Sequence, residues 1–252
     1  MKPKIAVYKL SSCAGCQLEI LNLENELLDI AGAVDIRYFV MAKRDTDSGP
    51  FDIGFVEGAV TCGEEIEKLK EARRQCGKLV ALGSCACFGG VPSIKNWQPQ
   101  RKIEAMVYEN LEAIHSTKAF GIDQYVEVDG FLKGCPVSKP ELVTFVKSTL
   151  LGVTPRLRPH SVCVECKLNE VECVMVTRGE PCLGTVTSAG CGALCPSVGR
   201  GCAGCRGPAG DCNARSLANT LLETGLSKQD VSRAFRIYAG NCAQFSEGAE
   251  AV

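Results

Sequence analysis

Apolar and polar residues alternate with two different periods along the first part of the chain, and this pattern predicts strands and helices in turn. Short apolar or alternating runs predict β-strands at Lys4–Leu10, Val34–Val40, Asp52–Glu57, Leu79–Gly83 and Tyr125–Val128. Apolar residues three and four positions apart predict helices at Gln17–Ala31, Glu64–Gln75 and Lys102–His115. The capping-box sequence Ser138-Lys139-Pro140-Glu141 predicts a further helix that ends near Leu151. Strands that alternate with helices are typical of an α/β fold, in which helices cover both faces of a parallel sheet.

The regular pattern ends near Gly152, and the rest of the chain is rich in proline, glycine and cysteine. We therefore predict two domains, residues 1–152 with the parallel sheet and residues 153–252 with little regular structure. Metal centres, rather than a large apolar core, are expected to organise the second domain. Two short helices are predicted to close it, from Ala214 to about Glu223 and from Ser227 to before Gly240, and the tail Glu247–Val252 is expected to fray.

Composition and charge exclude several classes of function. The chain has 252 residues, a hydrophobic content of 46% and a formal net charge of −1. This composition suits a globular core and provides no basic field for nucleic acid or for a charged membrane surface. No apolar run approaches the length of a membrane span. The start of the chain resembles neither a signal peptide nor a twin-arginine signal, and we expect a cytoplasmic protein without direct membrane insertion.

Cysteine is the one extreme of the composition, with 17 residues, and four of these cysteines follow predicted strands. Cys13 and Cys16 follow the first predicted strand, Cys85 follows the fourth and Cys135 follows the fifth. The loops after the carboxyl ends of parallel strands lie at one edge of a sheet, where α/β proteins bind their ligands. We therefore expect these four cysteines to form a single site.

Eight further cysteines are crowded into one short stretch of the second predicted domain. They are Cys163, Cys166, Cys173, Cys182, Cys191, Cys195, Cys202 and Cys205. Together with the first four they make three sets of four, which is the ligand count of three 4Fe-4S clusters. The glycines beside these cysteines also favour clusters, since they let backbone N–H groups approach the sulfur atoms. Zinc, a disulfide framework and, for the C-x-x-C pair alone, a redox dithiol are the alternatives.

Several motifs resemble those of the small, electron-transferring subunit of nickel–iron hydrogenases. S-C-A-G-C, F-V-E-G-A-V, G-S-C-A-C-F-G-G and G-C-P match successive motifs of that family's flavodoxin-like domain. The stretch from G-E-P-C-L-G to G-C-A-G-C-R-G is similar to the cytosolic, pyridine-nucleotide-linked branch, which includes sulfhydrogenase delta subunits. The resemblance covers roughly residues 4–210. It implies a flavodoxin-like doubly wound parallel sheet followed by a small, irregular iron–sulfur domain.

The resemblance also assigns one cluster to each set of cysteines. It implies a proximal 4Fe-4S cluster on Cys13, Cys16, Cys85 and Cys135, a medial one on Cys191, Cys195, Cys202 and Cys205, and a distal one on Cys163, Cys166, Cys173 and Cys182. Cys163 stands where the periplasmic and membrane-bound branch has a histidine, and Cys195 stands where that branch has a proline. Both departures supply a thiolate, so three all-cysteine clusters are expected.

Other residues near these motifs have more than one interpretation. A shifted histidine–cysteine motif would use His160, but it would strand Cys166, and His160 is interpreted as a loop residue. Cys87 competes with Cys85 as a proximal ligand. Glu57 follows a strand and is interpreted as a structural hydrogen-bond acceptor near the first cluster, with a proton relay as the alternative role. The cysteines outside the three sets are interpreted as small buried or surface thiols: Cys62, Cys76, Cys87, Cys212 and Cys242.

The resemblance implies an electron-transfer subunit without catalytic residues of its own. It would relay electrons from the nickel–iron site of a separate large subunit to a flavin-bearing, diaphorase-type partner that reduces NAD(P). A second interpretation within the family is a subunit that feeds a bifurcating or heterodisulfide-reductase complex. Outside the family, a quinone-oxidoreductase subunit of the respiratory complex I type shares the first domain, but it has adjacent cysteines where this chain has Cys13 and Cys16. A zinc-binding interaction module is the remaining alternative.

Overall fold

The computed structural model describes residues 2–23, 32–155 and 157–251, and contacts divide the chain into two compact units. The first unit is Met1–Pro155 and the second is Arg156–Val252. The sheet lies in the first unit, and the crowded cysteines lie in the second. None of the described helices combines the length and the hydrophobicity that a membrane span requires.

A parallel sheet of five strands forms the centre of the first unit. Its strands are β1 (Lys4–Lys9), β2 (Asp35–Phe39), β3 (Phe51–Glu57), β5 (Cys76–Leu82) and β7 (Gly130–Leu132), and a separate antiparallel pair consists of β4 (Val60–Cys62) and β6 (Ser116–Phe120). The five strands lie in the order β2-β1-β3-β5-β7. The order changes direction between β1 and β3, and open α/β sheets bind ligands in the crevice at such a point. The predicted α/β fold with a parallel sheet is confirmed.

Helices lie between these strands along the chain, and one more follows the last strand. They are α1 (Gly15–Leu21), α2 (Gly63–Gln75), α3 (Gly83–Phe88), α4 (Gln100–Val107) and α5 (Lys139–Leu150), with 3-10 helices at Val91–Trp97 and Ile122–Gln124. Glu64 at the start of α2 and Arg74 at its end complement the helix dipole. The predicted helix Gln17–Ala31 overlaps α1, and its residues 24–31 lie outside the described residues.

Alternate residues of the central strands face one apolar cluster. It includes Ile5 and Val7 of β1 and Phe55 of β3. Ile5 and Val7 are two residues apart, as expected for side chains on the same face of a strand. Phe145 of α5 packs against Phe55 with ring centroids 6.4 Å apart. Cys16 belongs to the same cluster. The core therefore buries one of the predicted ligands where the sheet meets its first helix.

The predicted position of the fifth strand of the sheet is wrong. Residues 125–128 were predicted to form this strand, but they come before it in the chain. The strand is β7, and its pairing with β5 begins at Gly130, directly after Asp129. The Asp129 side chain accepts the Leu79 N–H at 2.7 Å, and the Asp129 N–H donates to Leu79 O at 2.8 Å. Leu132 of β7 is fully buried, so burial favours the later segment as the strand.

Two of the predicted helices differ in detail from the helices in the structure. The helix predicted at Lys102–His115 ends at Val107. The chain then turns, since the Asn110 side chain accepts the Glu112 N–H at 3.1 Å in competition with the helix. Ser138 is the N-cap residue of α5, as predicted, but its side chain makes no capping hydrogen bond.

The second unit contains six short helices within residues 157–251. They are α6 (Val162–Leu168), α7 (Val174–Arg178), α8 (Leu194–Ser197), α9 (Ala214–Glu223), α10 (Lys228–Arg236) and α11 (Ala243–Glu250). The Ser227 side chain caps α10 by accepting the Asp230 N–H at 3.2 Å. The two predicted closing helices are thus followed by a third. The predicted fraying of Glu247–Val252 is wrong for Glu247–Glu250, which belong to this helix, and Val252 lies outside the described residues. Phe245 anchors the third helix edge-to-face against Phe235, with centroids 5.5 Å apart.

Candidate functional site

The loop after β1 carries the first two cysteines of the predicted proximal set. Cys13 is exposed in that loop, and Cys16 is buried in the first turn of α1. Ala14 between them has a left-handed φ of 66°, and the Gly15 N–H points at Cys13 Sγ, 3.4 Å away. The tight turn places two thiols at the carboxyl end of β1.

The other two cysteines of this set follow two further strands. Cys85 lies in α3, directly after β5, and Cys135 lies in the loop after β7. The Ser84 N–H donates to Gly134 O at 2.8 Å, and this bond ties the two loops together. The structure therefore brings all four cysteines to the carboxyl ends of parallel strands, although the strand before Cys135 is not the segment that the sequence predicts.

Burial and the neighbouring negative charges raise the pKa values of three of these thiols. Burial raises the pKa of Cys16, and the neighbouring Glu57 carboxylate adds to the effect. Burial raises the pKa of Cys85 to about 12, with contributions from Cys135 and Cys13. The pKa of Cys135 is raised by burial and by Cys13. The four sulfur atoms thus share one electrostatic environment, and metal binding there must displace their protons.

Two glycines leave space beside the sulfur atoms that any side chain would fill. A Cβ atom at Gly83 would overlap Cys16 Sγ, and a Cβ atom at Gly90 would lie 2.7 Å from Cys85 Sγ. Both glycines have positive φ angles, +83° and +54°, which other residues rarely adopt. The backbone can therefore approach closely to a group bound by these thiols.

A buried carboxylate holds the first turn of α1 in place. Glu57 ends β3 and is only 2% exposed. Its Oε1 accepts the Cys16 N–H at 2.9 Å, and its Oε2 accepts the Gln17 side-chain N–H at 2.8 Å. Glu57 is therefore a structural hydrogen-bond acceptor, as predicted, and it fixes the Cys16 backbone beside the crevice between β1 and β3.

Cys85 and Cys87 lie in the same helix but have different surroundings. The pKa of Cys85 is raised by burial and by two other thiols of the proximal set, Cys135 and Cys13. Cys87 is buried, and its Sγ lies 3.6 Å from Leu132 O and 3.8 Å from Ala81 O. The Cys87 thiol thus faces strands β5 and β7, and Cys85 is the member of the pair that joins the other three thiols.

The predicted distal cysteines lie around α6 in the second unit. Cys163 and Cys166 lie in α6, Cys173 lies at the N-cap of α7, and Cys182 lies in the loop that follows. Burial raises the pKa of Cys163, and Cys182 and Cys173 add to the effect. Burial raises the pKa of Cys166 to about 11, with contributions from Cys163, Cys182 and Cys173. These four thiols also share one environment.

The predicted medial cysteines lie next to the distal ones. Burial raises the pKa of Cys195, and Cys191 adds to the effect. Burial raises the pKa of Cys202 to about 12, with contributions from Cys182 and Cys205. The Cys202 N–H points at Cys182 Sγ, 3.3 Å away. Cys182 therefore lies at the border between the two predicted sets.

Two buried charged residues that the sequence analysis did not single out lie among these cysteines. Glu165 is 1% exposed and Arg206 is 2% exposed. Glu165 accepts the N–H groups of Gly190 at 3.0 Å and Ala193 at 3.3 Å, and Arg206 Nε donates to Ala189 O at 2.7 Å. Both residues stand directly beside cysteines in the motifs. A charged residue next to a cysteine can be recognised in the sequence. The sequence alone does not indicate burial, however, because a charged side chain at such a position could equally be exposed to solvent.

The remaining polar candidates have simpler surroundings. His160 Nδ1 lies 3.3 Å from Ser161 O, and the His160 carbonyl accepts the Ala189 N–H at 2.9 Å. All 17 cysteines are thiols rather than disulfides. Across the described part of the chain, no three side chains of His, Cys, Asp or Glu are placed to hold a single metal ion. A cubane cluster differs from such a site, because each of its four thiolates binds a separate iron atom.

A family model matches the first unit of the chain. Residues 13–149 match the family described as NADH ubiquinone oxidoreductase, 20 kDa subunit. The match covers more than half of the chain and includes all four cysteines at the edge of the sheet. The chain belongs to this family.

Hydrogenase relatives extend the similarity over both units. The sulfhydrogenase 2 subunit delta of Pyrococcus furiosus is 36% identical over 237 residues, which cover 94% of this chain and 99% of the relative. The NAD-reducing hydrogenase HoxS subunit delta of Cupriavidus necator is 30% identical over 151 residues, which cover 54% of this chain and 72% of the relative. A crystal structure of an NAD+-reducing NiFe hydrogenase matches 62% of this chain and 95% of its own chain, with a TM-score of 0.58 and 28% identity. These similarities confirm the prediction that the chain is the small subunit of a nickel–iron hydrogenase.

The extent of these matches separates the two interpretations that share the first domain. The 20 kDa subunit family model ends at residue 149, whereas the sulfhydrogenase delta subunit is similar over nearly the whole chain. The complex I-type interpretation therefore accounts for the first unit alone. The interpretation as a hydrogenase small subunit accounts for both units. The same similarity over nearly the whole chain disfavours a zinc-binding interaction module.

Proposed function

We propose that this hydrogenase small subunit carries single electrons between the nickel–iron site of a separate large subunit and a flavin-bearing, diaphorase-type partner that reduces NAD(P). The observation that carries the proposal is the convergence of four thiols at the carboxyl ends of three parallel strands, beside the crevice of the sheet. This arrangement supplies the ligands of one cubane cluster at the usual ligand-binding edge of an α/β fold. The similarity to an NAD+-reducing NiFe hydrogenase of known structure supports the choice of acceptor.

Three 4Fe-4S clusters complete the proposal. Their ligands are Cys13, Cys16, Cys85 and Cys135 for the proximal cluster, Cys191, Cys195, Cys202 and Cys205 for the medial cluster, and Cys163, Cys166, Cys173 and Cys182 for the distal cluster. When bound, such clusters accept and release one electron at a time. The surroundings of the thiols fit groups of this kind, since Gly83 and Gly90 leave space beside the sulfur atoms in the first unit. In the second unit, a Cβ atom at Gly184 would lie 3.3 Å from Cys182 Sγ.

The chain's own residues supply three further conditions for this function. Burial of Cys16 and Cys202 limits the access of water to the metal ligands. The Glu57 carboxylate fixes the backbone of Cys16, so the thiol keeps its position. We place the protein in the cytoplasm, since a reducing compartment prevents disulfide formation and none of the 17 cysteines forms a disulfide.

The chain purified without oxygen is expected to contain about twelve iron and about twelve acid-labile sulfide, because three cubane clusters need four of each. Stoichiometric zinc should be absent. Metal analysis and a sulfide assay measure the content, and the visible spectrum provides an independent check because a zinc protein is colourless. Iron for a single cluster, or a stoichiometric amount of zinc, would contradict the assignment of three clusters.

Exposed apolar side chains lie beside the proximal thiols and are proposed to contact the large subunit. Leu18 of α1 is 44% exposed and lies two residues after Cys16. Val91 and Ile94 of the following 3-10 helix are 48% and 47% exposed, and the Val91 backbone N–H contacts the Cys85 sulfur. Permanent interfaces bury apolar residues of this kind. The electron donor would therefore dock directly over the proximal cysteines.

Ile94→Asp is expected to weaken the association with the large subunit by about tenfold or more, because an unpaired charge buried at an interface costs at least about 1.4 kcal/mol. Met106→Asp is the control, since Met106 is an apolar residue of the same unit that is 79% exposed and lies in α4. Co-purification and a binding titration with the large subunit measure the effect. Equal affinities of the two variants would place the interface elsewhere.

A further inference from the structure

The carboxylate of Glu165 is enclosed among the cysteines of the second unit. Glu165 lies in α6 between Cys163 and Cys166 and is only 1% exposed. Its Oε1 accepts the Gly190 N–H at 3.0 Å and a side-chain N–H of Arg158 at 2.7 Å. A buried carboxylate destabilises the fold unless its oxygens are hydrogen-bonded and its charge is paired. Glu165 meets both conditions, so its carboxylate can stay charged among the thiols.

The other carboxylate oxygen reaches the loop that carries Cys191. Oε2 accepts the Ala193 N–H at 3.3 Å and lies 3.9 Å from Cys191 Sγ. Ala193 has a φ of +57°, a left-handed conformation that residues other than glycine rarely adopt. Asn169, at the end of α6, donates to Gly192 O at 2.9 Å. Two side chains of the α6 segment therefore hold this loop in a strained conformation.

These contacts join two segments that both supply thiols. Cys166 of α6 and Cys191 of the loop pack, together with Cys182, around the buried side chains of Val162 and Ala193. The two segments are far apart in the sequence, and their alignment depends on the hydrogen bonds between them. Without the Glu165 carboxylate, the loop would lose two of the acceptors that set its distance from α6.

Glu165 also changes the charge that a cluster at these thiols would meet. Hydrogen bonds to cluster sulfur and the net charge nearby both set the reduction potential, and negative charge lowers it. Glu165 adds a negative charge and engages the N–H groups of Gly190 and Ala193. Arg158 offsets part of that charge, but its side chain is 59% exposed and therefore screened by solvent.

We propose that Glu165 is a positioning residue for the cluster that Cys191 helps to hold. It fixes the Cys191 loop on α6, and it keeps the reduction potential of that cluster lower than a neutral residue would. The inference rests on the clusters proposed for the second unit. Its two effects are separable, because cluster retention is measured by iron content and electrostatics is measured by the potential.

Glu165→Gln tests both effects, since it keeps the size of the side chain and removes the charge. A redox titration of the oxygen-free hydrogenase complex, followed by electron paramagnetic resonance, measures the potential. For one cluster of the second unit, the ratio of reduced to oxidised cluster is expected to increase about tenfold at a fixed solution potential. This factor corresponds to about 59 mV for a one-electron couple.

Arg158→Gln separates the electrostatic effect from a loosened loop. It keeps the Glu165 carboxylate and removes its cationic partner, so the ratio of reduced to oxidised cluster is expected to decrease. The change should be smaller than for Glu165→Gln, because Arg158 is partly exposed. If charge is the cause, the ratio of reduced to oxidised cluster changes in opposite directions in the two variants. A merely structural role of Glu165 would change the ratio in the same direction in both.

Glu247→Gln is the matched control within the same unit. Glu247 pairs with Arg215 at 3.2 Å, but both side chains are exposed, at 53% and 68%. The substitution removes the same charge from an arginine-paired glutamate on the surface. Neither the iron content nor any potential is expected to change.

Full iron content with an unshifted potential in Glu165→Gln overturns the proposal, as does a shift of the same sign in Arg158→Gln. Loss of about four iron from Glu165→Gln, with full content in Glu247→Gln, supports the positioning effect. If Glu165→Gln does not accumulate as a folded protein, Arg158→Gln decides, since a lowered potential supports the proposal and an unchanged one overturns it. Absence of clusters from the unsubstituted complex would overturn the proposed function, and the inference with it.

Discussion

Cys85→Ser in the complete hydrogenase is expected to remove about four iron and about four sulfide per chain and to abolish hydrogen-dependent reduction of an artificial dye. The proximal set would lose one of its four thiolates, and a serine hydroxyl is a poor substitute for a soft ligand. Electrons from the large subunit would then have no acceptor in this chain. Iron and sulfide assays measure the cluster, and the dye assay measures the loss of transfer.

Cys87→Ser is the matched control, because it changes the same atom two positions along the same helix. The Cys87 Sγ lies beside the carbonyl oxygens of Leu132 and Ala81, at 3.6 and 3.8 Å. Cluster content and dye reduction are therefore expected to stay at the level of the unsubstituted complex. If the Cys85→Ser variant keeps the proximal cluster and the Cys87→Ser variant loses it, Cys87 rather than Cys85 is the ligand.

Cys173→Ser is expected to abolish nicotinamide reduction while hydrogen-dependent dye reduction is largely retained. Cys173 is exposed at the start of α7, and it adds to the raised pKa values of Cys163 and Cys166, which lie beside it. The proposed distal cluster would thus lie near a surface on which the flavin-bearing partner can dock. Dyes can collect electrons at other clusters, whereas nicotinamide reduction depends on that partner. Parallel assays of the two activities measure the difference.

His160→Ala is the control for this prediction, since His160 is the nearest alternative ligand in the sequence. Its Nδ1 lies beside the Ser161 carbonyl oxygen, so both activities and all three clusters are expected to be retained. Loss of a cluster from this variant would favour the shifted histidine–cysteine motif. Equal loss of both activities in Cys173→Ser, with every cluster still present, would mean that electrons leave by another route.

The edge of the sheet on which the proximal cysteines lie can be predicted from local patterns. Cys13 follows an apolar strand and precedes a helix, and Cys85 does the same later in the chain. Parallel strands end at the same edge of a sheet, so cysteines after different strands converge without further information. The sequence places the strand before Cys135 too early, yet it still predicts the loop that carries this cysteine, because the error is only a few residues.

Elements with little local signal depend on distant contacts. Residues 125–128 contain two valines and look more like a strand than Gly130–Leu132 does, but the hydrogen bonds between Asp129 and Leu79 select the later segment. Helix α11 is too short to be stable alone, and it is ordered because Phe245 packs against Phe235. No periodicity within either segment contains this information.

The buried carboxylates show the same limit at the candidate site. Glu57 can be interpreted as an acceptor from the sequence, because it stands at the end of a buried strand. Glu165 stands between two cysteines, where an acidic residue is equally compatible with solvent exposure. Its partners Gly190 and Ala193 lie in another segment, and only the folded chain shows that they enclose it.

The sequence by itself determined the α/β class, the number and spacing of the cysteines and the hydrogenase small-subunit family, because these depend on local periodicity and on motifs. Only the tertiary structure decided that Cys85 rather than Cys87 lies with the other proximal thiols, that Cys182 lies between two sets, and that Glu165 is buried among them. These properties depend on contacts between residues that are far apart in the chain, and such contacts leave no pattern in any short segment of it.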